Sequence, residues 1–117
     1  AALLATQVVE SRTFFLQLAG PWRERLAVAL GGWERCRPDY AVQRARYPYA
    51  VIEVVTGGRG RVRLDGEEHR LEAGVCFAAG SRTACRIETE AEAPLEKFFF
   101  ALAGPGTGRA LARAGLL

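Results

Sequence analysis

What this chain lacks limits what it can do. It has one histidine, His69, and three cysteines, Cys36, Cys76 and Cys85. A zinc or iron centre needs several ligands, commonly histidines, and this chain cannot supply them. Ser-His-Asp and Cys-His catalysis both require the histidine to reach the nucleophile. In "EEHRLEAG", His69 stands mid-strand just after a hairpin, where an exposed or cross-strand-paired imidazole is expected, and nothing in the sequence brings it near Cys85. The cysteine spacings suit neither a disulfide framework nor a paired CxxC site, which points to a reducing, cytoplasmic compartment. No apolar run approaches the ~20 residues that span a bilayer, and the opening "AALLATQVVE" has no basic region. Neither a membrane anchor nor a signal peptide is expected. The glycine clusters "TGGRGR" and "GPGTGR" end in no Gly-Lys-Ser/Thr, so they are read as a hairpin loop and a strand-to-helix turn rather than phosphate loops.

What is present suits one domain with a real core: 117 residues, 50% hydrophobic and 25% charged. Short apolar segments recur with turn signals every few residues, from "RTFFLQL" and "RLAVALGGWERC" to "LEKFFFALAG". Asp65-Gly66, between "RVRL" and "EEHRL", predicts a type I′ hairpin turn. The spacing predicts an antiparallel barrel or sandwich, an all-β fold in which only the ends, "LLATQVVE" and "TGRALARAGLL", form short terminal helices. The net charge of +3 comes from fifteen arginines and one lysine, Lys97. Arg59, Arg61 and Arg63 alternate with Gly60, Val62 and Leu64, which sends the arginines to one face of a strand and Val62 and Leu64 to the other. Glu67, Glu68 and Glu72 are close enough in sequence to offset them. With no aromatic residues interleaved, the stripe reads as a solvated face rather than a nucleic-acid surface.

The run Gly31 to Gly104 resembles the N-terminal cupin-like regulatory domain of AraC-type transcriptional regulators. The resemblance is carried by "YPYAVIEVVTGGRGRVRLDG", then "LEAG" and "FAAG", then the closing "PLEKFFFALAG". It implies a cupin-like double-stranded β barrel, or jelly roll, that holds a small effector. It also implies helix-turn-helix modules that bind DNA in the full protein and are not in this chain. Residues 1–117 are accordingly expected to be a single regulatory domain cut from something longer.

In metal-binding cupins a first motif supplies two histidines and a glutamate, and a second supplies one more histidine. Against that pattern Glu53 falls at the glutamate position and Cys85 at the last histidine, while Arg46 to Tyr49 holds no histidine. The usual Gly-Pro-Gly-x-Pro-His turn is Gly80, Ser81, Arg82, Thr83, Ala84, Cys85 here. No metal, no cofactor and no catalytic residue is therefore expected. If Glu53 and Cys85 face inward as their counterparts do, strand parity sends Tyr49, Val51, Val55 and Ile87 inward too. The resemblance adds Lys97, Phe99 and Ala101, with Arg44 and Arg46 on the approach strand. The candidate ligand-binding set is thus Arg44, Arg46, Tyr49, Glu53, Cys85, Ile87, Lys97 and Phe99. The same side chains also suit a closed core, with Glu53 paired for stability.

The functional expectation is an effector-sensing and dimerisation domain that is not an enzyme. Its partners would be a small polar effector, DNA through the missing modules only, and a second copy in a full-length homodimer, with no membrane. The alternatives are a free-standing small cupin enzyme, an isomerase or dioxygenase, and a degenerate barrel used only for dimerisation. Ala110, Leu111, Ala114 and Leu117 stand at helical spacing on a helix too short to be stable alone, so the stripe should dock.

Overall fold

In the computed structural model the described residues are 4, 6–16, 26–45 and 47–116. They form β1 (Val8–Phe15), β2 (Ala27–Cys36), β3 (Ala41–Arg44), β4 (Ala50–Gly57), β5 (Arg59–Leu64), β6 (Glu67–Glu72), β7 (Cys76–Ala79), β8 (Cys85–Thr89), β9 (Glu96–Ala103) and α1 (Thr107–Arg113). Two antiparallel sheets result, ordered β1-β2-β9-β4-β7 and β3-β8-β5-β6. From β2 onward, every connection between consecutive strands crosses from one sheet to the other, except the β5–β6 hairpin. That alternation is the wrapping of a jelly roll.

Local chemistry explains the corners. Asp65 and Gly66 have φ of 48° and 86°, as the β5–β6 hairpin requires. Gly58, at φ 75°, lets β4 leave one sheet and β5 enter the other, and a Cβ there would meet the Pro94 carbonyl oxygen at 2.1 Å. Between the sheets lies an apolar core that includes Leu30, Val55, Val62, Leu71, Ile87 and Leu95. Val62 is buried and Arg61 and Arg63 are exposed, as the alternation in β5 predicts.

Both chain ends refine the expectation. The N-terminal segment is not helical: Val8 to Phe15 is an edge strand paired with β2 from Val8↔Cys36 to Phe15↔Leu30. Two adjacent valines and a partner strand with free hydrogen-bonding groups favour the ladder over an isolated short helix. The C-terminal helix forms, and Leu111 docks on Ala50 and Leu102 on the outer face of the five-stranded sheet. Ala114, however, is exposed. The helix stops at Arg113, Gly115 takes φ 75°, and partly buried Leu116 packs in place of Ala114. Leu117 lies outside the described residues.

Candidate functional site

Three neighbouring strands bring three charges to one inner face. β2, β9 and β4 lie side by side, with Glu34 directly opposite Lys97 and Glu53 opposite Phe99, one residue pair further along β9 on the same face. Lys97 Nζ donates to Glu34 Oε1 at 2.8 Å and stands 2.6 Å from Glu53 Oε1. Arg44, reaching from β3 in the facing sheet, places its guanidinium 3.8 Å from Glu53 Oε2. The order Glu34, Lys97, Glu53, Arg44 alternates in sign and balances. Glu53 and Lys97 are each 1% exposed and Glu34 is 5% exposed. Ions this deeply buried persist only when paired.

The surrounding rings complete the enclosure. Lys97 Nζ lies 5.2 Å from the Tyr40 ring centre and 5.7 Å from that of Phe99, while the Arg44 guanidinium stacks 4.6 Å above Tyr47. Burial acts to lower the Lys97 pKa, but Glu53 and Glu34 outweigh it and hold the amine well above its ordinary 10.5. Lys97 is a permanent cation at physiological pH. Burial pushes the Cys85 thiol up to about 11 and Cys36 up to about 12. Both stay neutral thiols, so Cys85 is a small buried core residue without the ionised sulfur a nucleophile or metal ligand needs.

The cluster leaves almost no room. A void of about 10 Å³ remains among Leu4, Glu34, Arg44, Tyr47, Val51, Glu53, Lys97 and Phe99. That is space for a single water at most. The Lys97 ammonium lies 2.6 Å from Glu53 Oε1 and the void beside the pair is only about 10 Å³, so these residues do not fit a metal ion. Among the described residues, no group of three or more His, Cys, Asp or Glu side chains is placed to hold one.

Of the candidate set, Arg44, Glu53, Lys97 and Phe99 converge on this void. Tyr49 is buried but lines a separate groove beside the start of α1, and it meets Tyr47 edge-on at 6.0 Å. Cys85 and Ile87 face inward and join the apolar core without lining the void. Arg46 lies outside the described residues. Sequence reasoning missed Glu34, Tyr40 and Tyr47. The signal for Glu34 was available, since it shares parity in β2 with buried Leu30, Gly32 and Cys36. Tyr40 and Tyr47 lie outside the strands, where parity says nothing.

His69 sits exposed in β6 with Nε2 3.7 Å from Glu67 Oε1. The arginine stripe is neutralised as expected, but in half of its ion pairs by carboxylates other than those expected. Glu88 and Glu90, in and just after β8, pair with Arg61 and Arg59, and only Glu68 of the nearby acidic residues contributes.

Among curated proteins, none matches the sequence. Solved structures do. The plu4264 protein of Photorhabdus luminescens superposes with a TM-score of 0.65 at 13% identity, over 97% of this chain and 91% of that one. A Cupin 2 conserved barrel domain protein of Salinispora arenicola gives 0.60 at 15% identity, over 88% and 84%. Salicylate 1,2-dioxygenase of Pseudaminobacter salicylatoxidans gives 0.55 at 22% identity, over 75% of this chain but only 23% of the dioxygenase. These likenesses establish the cupin fold. Among the described residues no helix is long and apolar enough to cross a membrane. The sequence from residue 28 to 117 matches the AraC-like ligand binding domain family, and the chain belongs to it.

Proposed function

We propose that this chain is the effector-sensing and dimerisation domain of a cytoplasmic AraC-type transcriptional regulator, acting without catalysis and controlling an attached helix-turn-helix DNA-binding domain. The observation that carries the reading is a charge-balanced series, with Glu34, Lys97 and Glu53 sealed inside the barrel and the partly exposed Arg44 closing it. An apolar core of the same size would be as stable or more so, which argues for a use other than stability. The series presents donors and acceptors together, suited to a small polar effector. The closed form is one end of the equilibrium. Val51, Glu53, Lys97 and Phe99 are fixed in strands, whereas Leu4 and Tyr47, which complete the enclosure, belong to irregular segments and can withdraw without breaking a ladder. An effector that prefers the open form shifts the population toward it.

The test is a thermal-shift screen of small polar metabolites against the wild type and Arg44→Gln, a partly exposed position. A ligand of the barrel centre raises the wild-type melting temperature and loses most of that effect in the variant. If every stabilising compound acts equally on both, the centre is not the effector site. The regulator assignment has its own check, because the reading frame after residue 117 should encode two helix-turn-helix patterns.

The nearly filled interior favours a second reading, a barrel kept for dimerisation. The outer face of the five-stranded sheet carries Phe14 and Phe98 at 41% and 42% exposure, with Trp33 between them on the same side of β2. Under that reading no small molecule stabilises the chain, and Phe98→Glu dissociates the dimer in sedimentation analysis.

A further inference from the structure

A groove outside the barrel has the features of a second binding site. About 380 Å³ of space lies between Pro48 and Tyr49 at the entry to β4, the β7–β8 turn, and the β9–α1 junction at Gly104, Thr107 and Gly108. Its volume is that of a small-molecule site. The floor is apolar, from Ala50, Leu102 and Ala103, and among the described residues no carboxylate lines it.

Two polar groups in the groove are unspent. Thr107 is only 6% exposed, yet its Oγ1 has no hydrogen-bond partner among the described residues. A hydroxyl sealed from water without a partner calls for an explanation. Arg82, exposed on the rim, makes no ion pair among the described residues, in contrast to Arg59, Arg61, Arg63 and Arg86. Ser81 adds a second hydroxyl beside it. A Cβ placed on Gly108 would meet nothing within 4 Å, so the groove is open at that residue.

The turn that carries Arg82 is held in place. The Gly80 amide donates to Thr83 Oγ1 at 3.0 Å, the Thr83 amide to the Gly80 carbonyl at 3.1 Å, and the Ala84 amide to Asp65 Oδ1 at 2.9 Å. A braced turn loses little freedom when a ligand docks.

We propose that this groove binds a small monocarboxylate with a compact apolar body. The guanidinium fork of Arg82 matches a carboxylate, and the Thr107 hydroxyl, sealed in the free chain, donates to the same anion once the ligand turns that side chain toward the groove. One cation suits one negative charge, which disfavours dicarboxylates and phosphates. The apolar body covers Leu102 and Ala50, the same residues on which Leu111 docks α1. An occupant therefore links the β7–β8 turn to the first residues of α1 and braces the helix on the barrel. The proposal does not rest on the reading of the barrel centre.

The experiment is a nitrogen-15 NMR titration of the 117-residue chain with sodium cyclohexanecarboxylate at constant ionic strength, with cyclohexanemethanol as the neutral control. Saturable shifts are expected at the amides of Gly80 to Arg82, Thr107 and Gly108. The alcohol should bind about tenfold or more weakly, and Arg82→Gln should lose about tenfold or more in affinity. Thr107→Val, nearly equal in size, should lose about threefold while keeping the wild-type spectrum elsewhere. Absence of saturable shifts, equal binding of the alcohol, or unchanged affinity in Arg82→Gln overturns the proposal. Shifts confined to the amides of Glu34, Glu53 and Lys97 also overturn it, and would support the barrel centre as the effector site instead.

Discussion

Two regions of this molecule are built from the same chemistry and have opposite energetics. On the inner face of the five-stranded sheet, Glu34, Lys97 and Glu53 are almost wholly buried, with Arg44 closing the series. On the outer face of the four-stranded sheet, Arg61 pairs with Glu88, Arg63 with Glu68, and Arg86 with Glu88, all with cation side chains more than half exposed. Each set joins acidic and basic side chains from more than one strand. Outside, water screens every pair and could replace any member, so the grid contributes solubility and little stability. Inside, each ion depends on its neighbour, because water cannot return when one is removed. Access of water, rather than the residues themselves, decides which charges matter.

The largest effect should come from removing the central cation. Lys97→Met leaves Glu34 and Glu53 buried without their shared counter-charge, and should lose about 3–5 kcal/mol in urea unfolding. A loss below about 1 kcal/mol would mean that water reaches the pair and the contrast between the two faces fails.

Alkaline pH probes the same interior through its thiols. Cys36 and Cys85 ionise near 9.0 when unfolded, and burial holds them up to about 12 and about 11 in the native state. The folded chain keeps protons that the unfolded chain gives up. Their contribution is therefore complete below pH 9 and is lost progressively as pH rises through the folded values. The urea midpoint should fall between pH 8 and pH 11, and the Cys36→Ala, Cys85→Ala double variant should flatten that fall. Lys97 adds to this slope only from about pH 10.5 upward, where the unfolded lysine gives up its proton and the folded one keeps it.

A smaller effect separates ring from hydroxyl beside the buried amine. The Tyr40 hydroxyl is buried and has no hydrogen-bond partner among the described residues, while its ring lies beneath Lys97. Tyr40→Phe keeps the ring and should raise stability by about 1 kcal/mol. A comparable loss would show that the hydroxyl holds a water inside the cluster.

The smallest effect is expected outside. Arg61→Ala should shift the urea midpoint slightly at low salt, and the difference from wild type should vanish in 1 M sodium chloride. A loss that persists in high salt would place this face in the same class as the interior.

Much of the fold was legible in the residues. The Asp65-Gly66 turn and the alternation in β5 depend on local geometry alone, while the inward parity of Val51, Val55 and Ile87 follows once the cupin resemblance points Glu53 and Cys85 inward, and the structure has each as expected. The second half of the N-terminal strand was legible in "RTFFLQL", but its start at Val8 was not, because "LLATQVVE" has no internal feature that reveals β2 waiting to pair with it. The missing partners of the arginine stripe had the same origin. Glu88 and Glu90 are far from Arg59 and Arg61 in sequence and become neighbours only when β8 pairs with β5.

The sequence by itself determined an all-β chain of short strands, a carboxylate at Glu53 that the cupin resemblance points inward, a lone lysine two positions before Phe99, and too few histidines for a cupin metal centre. Strand periodicity and ligand chemistry are local properties, readable one segment at a time. Only the tertiary structure decided that Lys97 is shared between Glu34 and Glu53, that Arg44 closes the series from the opposite sheet, and that the void left among them is about 10 Å³. Those outcomes depend on which strands become neighbours and how far apart the two sheets stand, distances that no single segment contains.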